Sequence, residues 1–299
     1  MLIIDYKGGQ LANRLFLFAY FIANSIEYKF KLINPFFEDY AALFPAVANN
    51  DYPEGLISTR FAESKMQSDI IQQAIRGARY FSKKNDGHFF SCVFHSIRQT
   101  HDAVYKVFDM NDAAFVYRAQ QKIIFAKGWH YRDASNLVKH AGAIRKIFRP
   151  AEKYMQQVNA ITNSARNANT LLVGVHLRKG DYANFFEGRW FYENSVYVEK
   201  MKTFKFLLQA QGKEAKFIVC SNEKINEADF DGLEIISGER EAITDLYTLA
   251  ACDYIIGPPS TFSMWASYYG NVPLLILKNK TQTICLHDAR VMNGIESFF

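Results

Sequence analysis

The sequence predicts an α/β protein built on parallel sheets, and three observations carry that prediction. The chain opens strand, glycine turn, apolar helix, strand ("MLIIDY", "KGGQLAN", "RLFLFAYFIANSI", "KFKLI"), the β-loop-α-β start of a parallel sheet. Its second half alternates short apolar runs with helical ones. Its 299 residues, 49% hydrophobic and 15% aromatic, hold enough apolar material for two cores. Two domains are therefore expected, residues 1–160 and 161–299.

Each element has its own justification. "RLFLFAYFIANSI" is apolar on nearly every side, as a buried helix is. From about residue 34 to 100 the patterning blurs into aromatic clusters ("NPFFEDY", "HFFSCVF") and a polar helical stretch, "ESKMQSDIIQQAIRGARY". "QKIIFAKGW" reads as a strand running into a loop. "ASNLVKHAGAIRKIF" has the spacing of one amphipathic helix, with Pro150 behind it as a stop. "PAEKYMQQVNAITNSARNAN" reads as a helix and a polar segment, the candidate linker between domains. Beyond it come strand 171–177, a helix at about 192–210, strands "AKFIVCS" and "LEIIS", helix "EAITDLYTLAAC", strand "YIIG", helix "TFSMWASYY" and strand "PLLIL". That is a doubly wound domain, whose ligands bind outside the carboxyl ends of its strands.

Composition narrows the function classes. A formal charge of +5, with no basic run longer than two residues such as Lys83-Lys84, argues against a nucleic-acid partner. The four cysteines (Cys92, Cys220, Cys252, Cys285) show neither a C-x-x-C pair nor a zinc spacing, and Cys220 and Cys252 read as reduced core thiols. No apolar run approaches the ~20 residues of a membrane helix, and the start has no signal-peptide pattern. A cytoplasmic location is the expectation, with peripheral membrane association left open.

Charge gathers where strands end. "GVHLRKGDY" places His176, Arg178, Lys179 and Asp181 just after a buried strand. A guanidinium there either forks onto phosphate oxygens or pairs with Asp181. In "GPPSTFSMW", Ser260 or Thr261 caps a helix beside Phe262 and Ser263. Helix starts bind anions, and Ser and Thr cap helices everywhere, so both readings stand. Asp245, in the first turn of the preceding helix, either complements the helix dipole or accepts from a base edge such as guanine. Ser221 and Asn222, at the end of "AKFIVCS", either touch a ribose or sugar or cap the next helix. Gly9, Gln10 and Asn13 lie in a glycine turn that departs from G-x-G-x-x-G. Trp129, in "KGWHYRD", either stacks on a sugar or covers the core.

In combination these segments resemble the α-1,2-fucosyltransferases of glycosyltransferase family 11. "HLRKGDY" is similar to the family's H-x-R-R-G-D-Y, with Lys179 at its second arginine. "GQLANRLFLFA" resembles its glycine-rich start, with Gln10 and Ala12 where glycines are usual and Arg14 where Gln is usual. "DLYTLAACDYIIGPPSTFSMW" is similar to the segment ending S-T-F-S-W-W, with Met264 for the first tryptophan. Fucosyltransferases of α-1,6 and protein O-linked type share the arginine motif.

The resemblance implies a GT-B fold, two Rossmann-like domains facing across a cleft, with GDP-β-L-fucose held by the C-terminal one. It implies inverting transfer to a galactoside hydroxyl without a metal or other cofactor, in surface glycan synthesis. By motif match, Arg178 is the catalytic donor to the leaving pyrophosphate, aided by Thr261–Ser263. His176 and Asp245 contact the guanine or its ribose, and Gly9, Gln10, Asn13, Asp181 and Trp129 lie on the fucose or acceptor side. The general base is unassigned among Asp181, Asp39 and Glu38. The one D-x-D, Asp229-Phe230-Asp231, reads as a solvated turn. A fucosyltransferase of other linkage (α-1,6) and a non-catalytic nucleotide- or sugar-binding protein of the same fold are the competing readings.

Overall fold

The computed structural model describes residues 1–62, 64–84, 94–98 and 107–296. Cys92 and residues 88–93 of the "HFFSCVF" cluster that contains it fall outside the described residues. The chain divides into two compact units, Met1–Ala151 and a second from Glu152 onward.

The first unit contributes β1 (Leu2–Ile4), β2 (Leu32–Ile33), β3 (Ile57–Ser58), β4 (Phe94–Arg98), β5 (Phe108–Asp109), β6 (Ile123–Lys127) and β7 (Tyr131–Arg132). Five of these form a parallel sheet in the order β3-β2-β1-β6-β4, and β5 pairs with β7. Leu2 lies opposite Leu32 on one side and Ile124 on the other. The helix Leu11–Tyr28 is buried at every residue from Leu15 to Ile26, as its apolar circumference requires. Its Phe18 packs on Phe37 and Phe148, and its Phe21 on Tyr131.

One expectation changes here. The amphipathic stretch after residue 133 is two helices, Ala134–Lys139 and Ala141–Ile147, separated by His140 at φ −101° and ψ 18°. The His140 ring, 2.8 Å from Glu27 of the long helix, anchors the break. The first of the two starts at Asp133, whose carboxylate accepts the Asn136 N–H.

The second unit contributes β8 (Thr170–Leu177), β9 (Glu214–Ser221), β10 (Ile235–Ser237), β11 (Tyr254–Gly257) and β12 (Leu274–Ile276), all parallel, in the order β10-β9-β8-β11-β12. This is the doubly wound order, which reverses direction between β8 and β11. Val173, Val175, Leu177, Phe217, Val219 and Ile256 of the sheet join Tyr197, Met201 and Phe204 of the helix Asn194–Gln209 in one core. Cys220 and Cys252 are buried free thiols whose pKa burial pushes up.

The boundary falls between residues 151 and 152, earlier than the 160/161 expected. The reason lies in the helix Glu152–Ala165, which is not a linker. It buries Tyr154, Val158, Thr162 and Ala165, one helical face, and its Gln157 accepts a hydrogen bond from Thr244 of the second unit at 2.9 Å. In the D-x-D segment Phe230 is buried, and Asp229 accepts from Asn194 and Asn226.

Candidate active site at the β8–β11 switch point

Two segments leave the sheet where its strand order reverses, residues 178–182 after β8 and 258–263 after β11. Ile256 is paired with Val175, so Gly257 and His176 sit side by side at the end of the ladder. A Cβ on Gly257 would lie 3.1 Å from His176 Cβ, a contact tight enough to favour a glycine at this strand end.

Arg178 is largely buried along its side chain, with its guanidinium over the Tyr182 ring at 5.2 Å. Its Nη2 donates to Asp181 at 2.8 Å, and that carboxylate is 57% exposed. Such an ion pair is weak and open to replacement by a stronger anion. Gly180 turns the chain between them at φ +58°, and a Cβ there would stand 2.8 Å from Asn222 Nδ2. Asn222 in turn accepts the Lys179 N–H at 2.9 Å, so the end of β9 braces the Arg178 loop. Ser221 is buried and accepts the Glu223 N–H. Lys179 turns inward: its ammonium donates to the Tyr192 carbonyl at 2.7 Å and lies over the Phe191 ring, and burial lowers its pKa.

After β11, Ser260 caps the helix Thr261–Gly270 by accepting the Phe262 N–H. Ser263 is fully buried, its hydroxyl on the carbonyls of Pro258 and Ser260. Of the three hydroxyls, only that of Thr261 belongs to a residue that is not buried. Sequence reasoning missed Tyr182, which ties the two segments together. Its hydroxyl donates to the Pro259 carbonyl at 2.8 Å while its ring carries Arg178. Its place in the G-D-Y triplet was the available signal. His176 is 4% exposed and packs against Phe262, with ring centroids 4.9 Å apart and planes tilted by 32°. Burial, then the Arg178 charge, pushes its pKa down to about 3, so the imidazole is neutral at pH 7. Its Nδ1 has no hydrogen-bond partner among the described residues. Asp245 is buried in the first turn of the helix Ala242–Ala250 and accepts the Glu239 N–H at 2.9 Å. Burial raises its pKa to about 7 against the bonds from Glu239 and Arg240. It holds the loop after β10.

The remaining expected residues lie in the first unit, at the ends of the adjacent strands β1 and β6. Gln10 is exposed at the start of the helix Leu11–Tyr28, and Asn13 is half-buried in its first turn. Trp129 is half-buried with the Arg132 guanidinium over its ring at 5.0 Å. Arg14, another residue that sequence reasoning did not single out as a site, donates to the carbonyls of Gly9 and Phe36 and to Asp39. Bonds from Arg14 and then Lys7 hold the Asp39 carboxyl below its usual range, and Glu38 pairs with Arg60 at 3.0 Å. Lys7, Phe36, Glu38, Asp39, Gln72 and Arg76 line a cavity of about 420 Å³.

This geometry has counterparts among known proteins. Residues 144–286 match the model of Glycosyl transferase family 11, which takes in both strand-end segments. Those residues, a little under half of the chain, are similar to that family. Two galactoside alpha-(1,2)-fucosyltransferase 1 proteins, from Saimiri sciureus and Leontopithecus chrysomelas, are each 33% identical over 119 and 120 residues. Each match covers 36% of this chain, and the chain spans 31% and 32% of the length of those relatives. An Arabidopsis thaliana FUT1 variant in complex with GDP aligns with a TM-score of 0.59 at 12% identity, covering 99% of this chain and 74% of that one. Fucosyltransferase NodZ from Bradyrhizobium aligns at 0.52 and 14%, covering 94% and 96%. POFUT1 in complex with GDP aligns at 0.52 and 13%, covering 91% and 97%. What these structures share with the chain is the GT-B fold, with its Rossmann-like units. No described helix is long and apolar enough to cross a membrane.

Proposed function

We propose that this chain is an inverting fucosyltransferase that moves L-fucose from GDP-β-L-fucose to a galactoside hydroxyl, in α-1,2 linkage. One observation carries the reading. At the β8–β11 switch point the structure brings Arg178 and the start of the helix Thr261–Gly270 together through Tyr182, inside the stretch that matches the family. The 33% identity with galactoside alpha-(1,2)-fucosyltransferases supports the linkage.

The chemistry derives from charge. An acceptor hydroxyl attacks C1 of fucose opposite the nucleotide. The C1–O bond breaks, and its electron pair leaves on the β-phosphate. Arg178 exchanges its exposed Asp181 partner for that phosphate, while the helix dipole at Thr261 meets the same charge. Removing one such preorganised donor typically raises a barrier by about 3–4 kcal/mol. The acceptor proton needs a base. Asp39, held low by two cations, and Glu38, paired with Arg60, are poor ones. Asp181, released when phosphate takes Arg178, is the better candidate. Lys179, Ser260 and Ser263 support the site from within. His176 and Phe262 offer a neutral surface for the nucleoside, and Asp245 shapes the loop beside it. A cytoplasmic enzyme of surface glycan synthesis fits this reading, which needs no metal.

The test is incubation with GDP-fucose and a panel of β-galactosides, following GDP release and assigning product linkage by NMR. An α-1,2-fucoside is expected. Nucleotide binding without turnover would make the chain a binding protein, and an α-1,6 product would overturn the linkage.

A further inference from the structure

The segment beyond Tyr182 is given no role in the diphosphate site proposed above, yet it is built at a cost. Three consecutive residues occupy the left-handed region: Phe186 (φ +46°), Glu187 (φ +58°) and Gly188 (φ +72°). Two of them carry side chains, so the surrounding structure must impose that conformation. What it achieves is display. Phe185 is 41% exposed and Phe186 37%, their rings perpendicular at 4.7 Å. Packing does not require this, because Tyr182 and Trp190 on either side are the buried members of the cluster. Phe185 stacks on Tyr182 at 5.2 Å, and Phe186 lies 5.7 Å from Trp190. Tyr182 also carries the Arg178 guanidinium. A continuous aromatic surface therefore runs from the phosphate-binding side chain out to solvent. The carboxylates of Asp181 and Glu187 are exposed in the same segment.

We propose that Phe185 and Phe186 form a stacking platform for the galactosyl ring of the acceptor. This rests on the transfer reaction proposed above. An aromatic face rimmed by carboxylates matches a pyranoside, which has an apolar ring face and a hydroxyl edge. In galactose the axial C4 hydroxyl leaves C–H groups at C3, C4 and C5 on one face. That face lies on the phenyl rings while the carboxylates accept from the hydroxyls.

The test reads sugar contact directly, independent of turnover. Saturation-transfer NMR with methyl β-D-galactopyranoside, with and without GDP, is recorded for the wild type, the Phe185→Ala/Phe186→Ala double variant and the Phe185→Tyr/Phe186→Tyr variant. Saturation of H3, H4 and H5 is expected from the wild type and the tyrosine variant and not from the alanine variant. With GDP-fucose, the alanine variant's acceptor KM rises ~10-fold while its donor KM holds. Should the double alanine variant fail to fold, Phe186→Ala alone carries the same comparison. Persistent galactoside contact after alanine substitution, no contact in the wild type, or a loss confined to donor affinity would each overturn the platform. Galactoside contact at these rings without turnover of GDP-fucose would leave the platform standing and remove the reaction.

Discussion

Arg178 and Lys179 are neighbours in sequence with opposite orientations. One lies over Tyr182 with a displaceable partner, and the other donates into the fold at Tyr192. Arg178→Lys, which keeps the charge and loses the bidentate fork, is expected to lower kcat by about 10²–10³. Lys179→Arg is expected to change it far less. Steady-state kinetics with GDP-fucose decide, and similar losses from both would refute the ranking. Gly180 supports the same loop. Gly180→Ala meets both a left-handed backbone and the Asn222 amide 2.8 Å away. It is expected to weaken GDP binding about tenfold, by displacing a loop at a strain of ~1–2 kcal/mol, as measured by calorimetry. The candidate site was legible where a residue type has few uses at a strand end, as with Arg178. It was not legible for Tyr182 or for the inward turn of Lys179, since both depend on which carbonyl lies nearby.

At the level of elements, one strand end and one helix start carry opposed titrations. His176 has its folded pKa depressed to about 3, so the unfolded chain binds the proton first. Stability from keeping it neutral is complete above about pH 6.5 and is lost as pH falls toward 3. Asp245 has its folded pKa raised to about 7, so the folded chain binds the proton first. Its contribution is present below pH ~4 and is lost as pH rises through 7. Between pH ~4 and 6.5 the two slopes oppose. Urea unfolding should show His176→Gln gaining on the wild type as pH falls through that window and Asp245→Asn gaining as pH rises. Either difference approaches about 1.4 kcal/mol per pH unit, and flat differences would contradict the assigned burial effects. Element order in the second half was readable because parallel strands buried on both faces are continuous apolar runs. The break at His140 was not, because the sequence periodicity continues across it and the contact of His140 with Glu27 is long-range in sequence.

For the whole molecule, each unit has its own parallel sheet and core, and the boundary lies between residues 151 and 152. A chain beginning at Glu152 should fold alone and bind GDP within about tenfold of the full protein, with no transfer activity. Circular dichroism and calorimetry would show this, and an unfolded fragment would contradict the division. The two-unit organisation was legible from length and alternation. Its boundary was not, because the helix Glu152–Ala165 looks polar until its buried face meets the second unit. The central claim concerns one diphosphate and two strand ends. A crystal structure of the full chain with GDP tests it most directly. The account predicts the pyrophosphate between the Arg178 guanidinium and the amides at Thr261, with Asp181 released. A nucleotide bound elsewhere, with Arg178 still paired to Asp181, would contradict it.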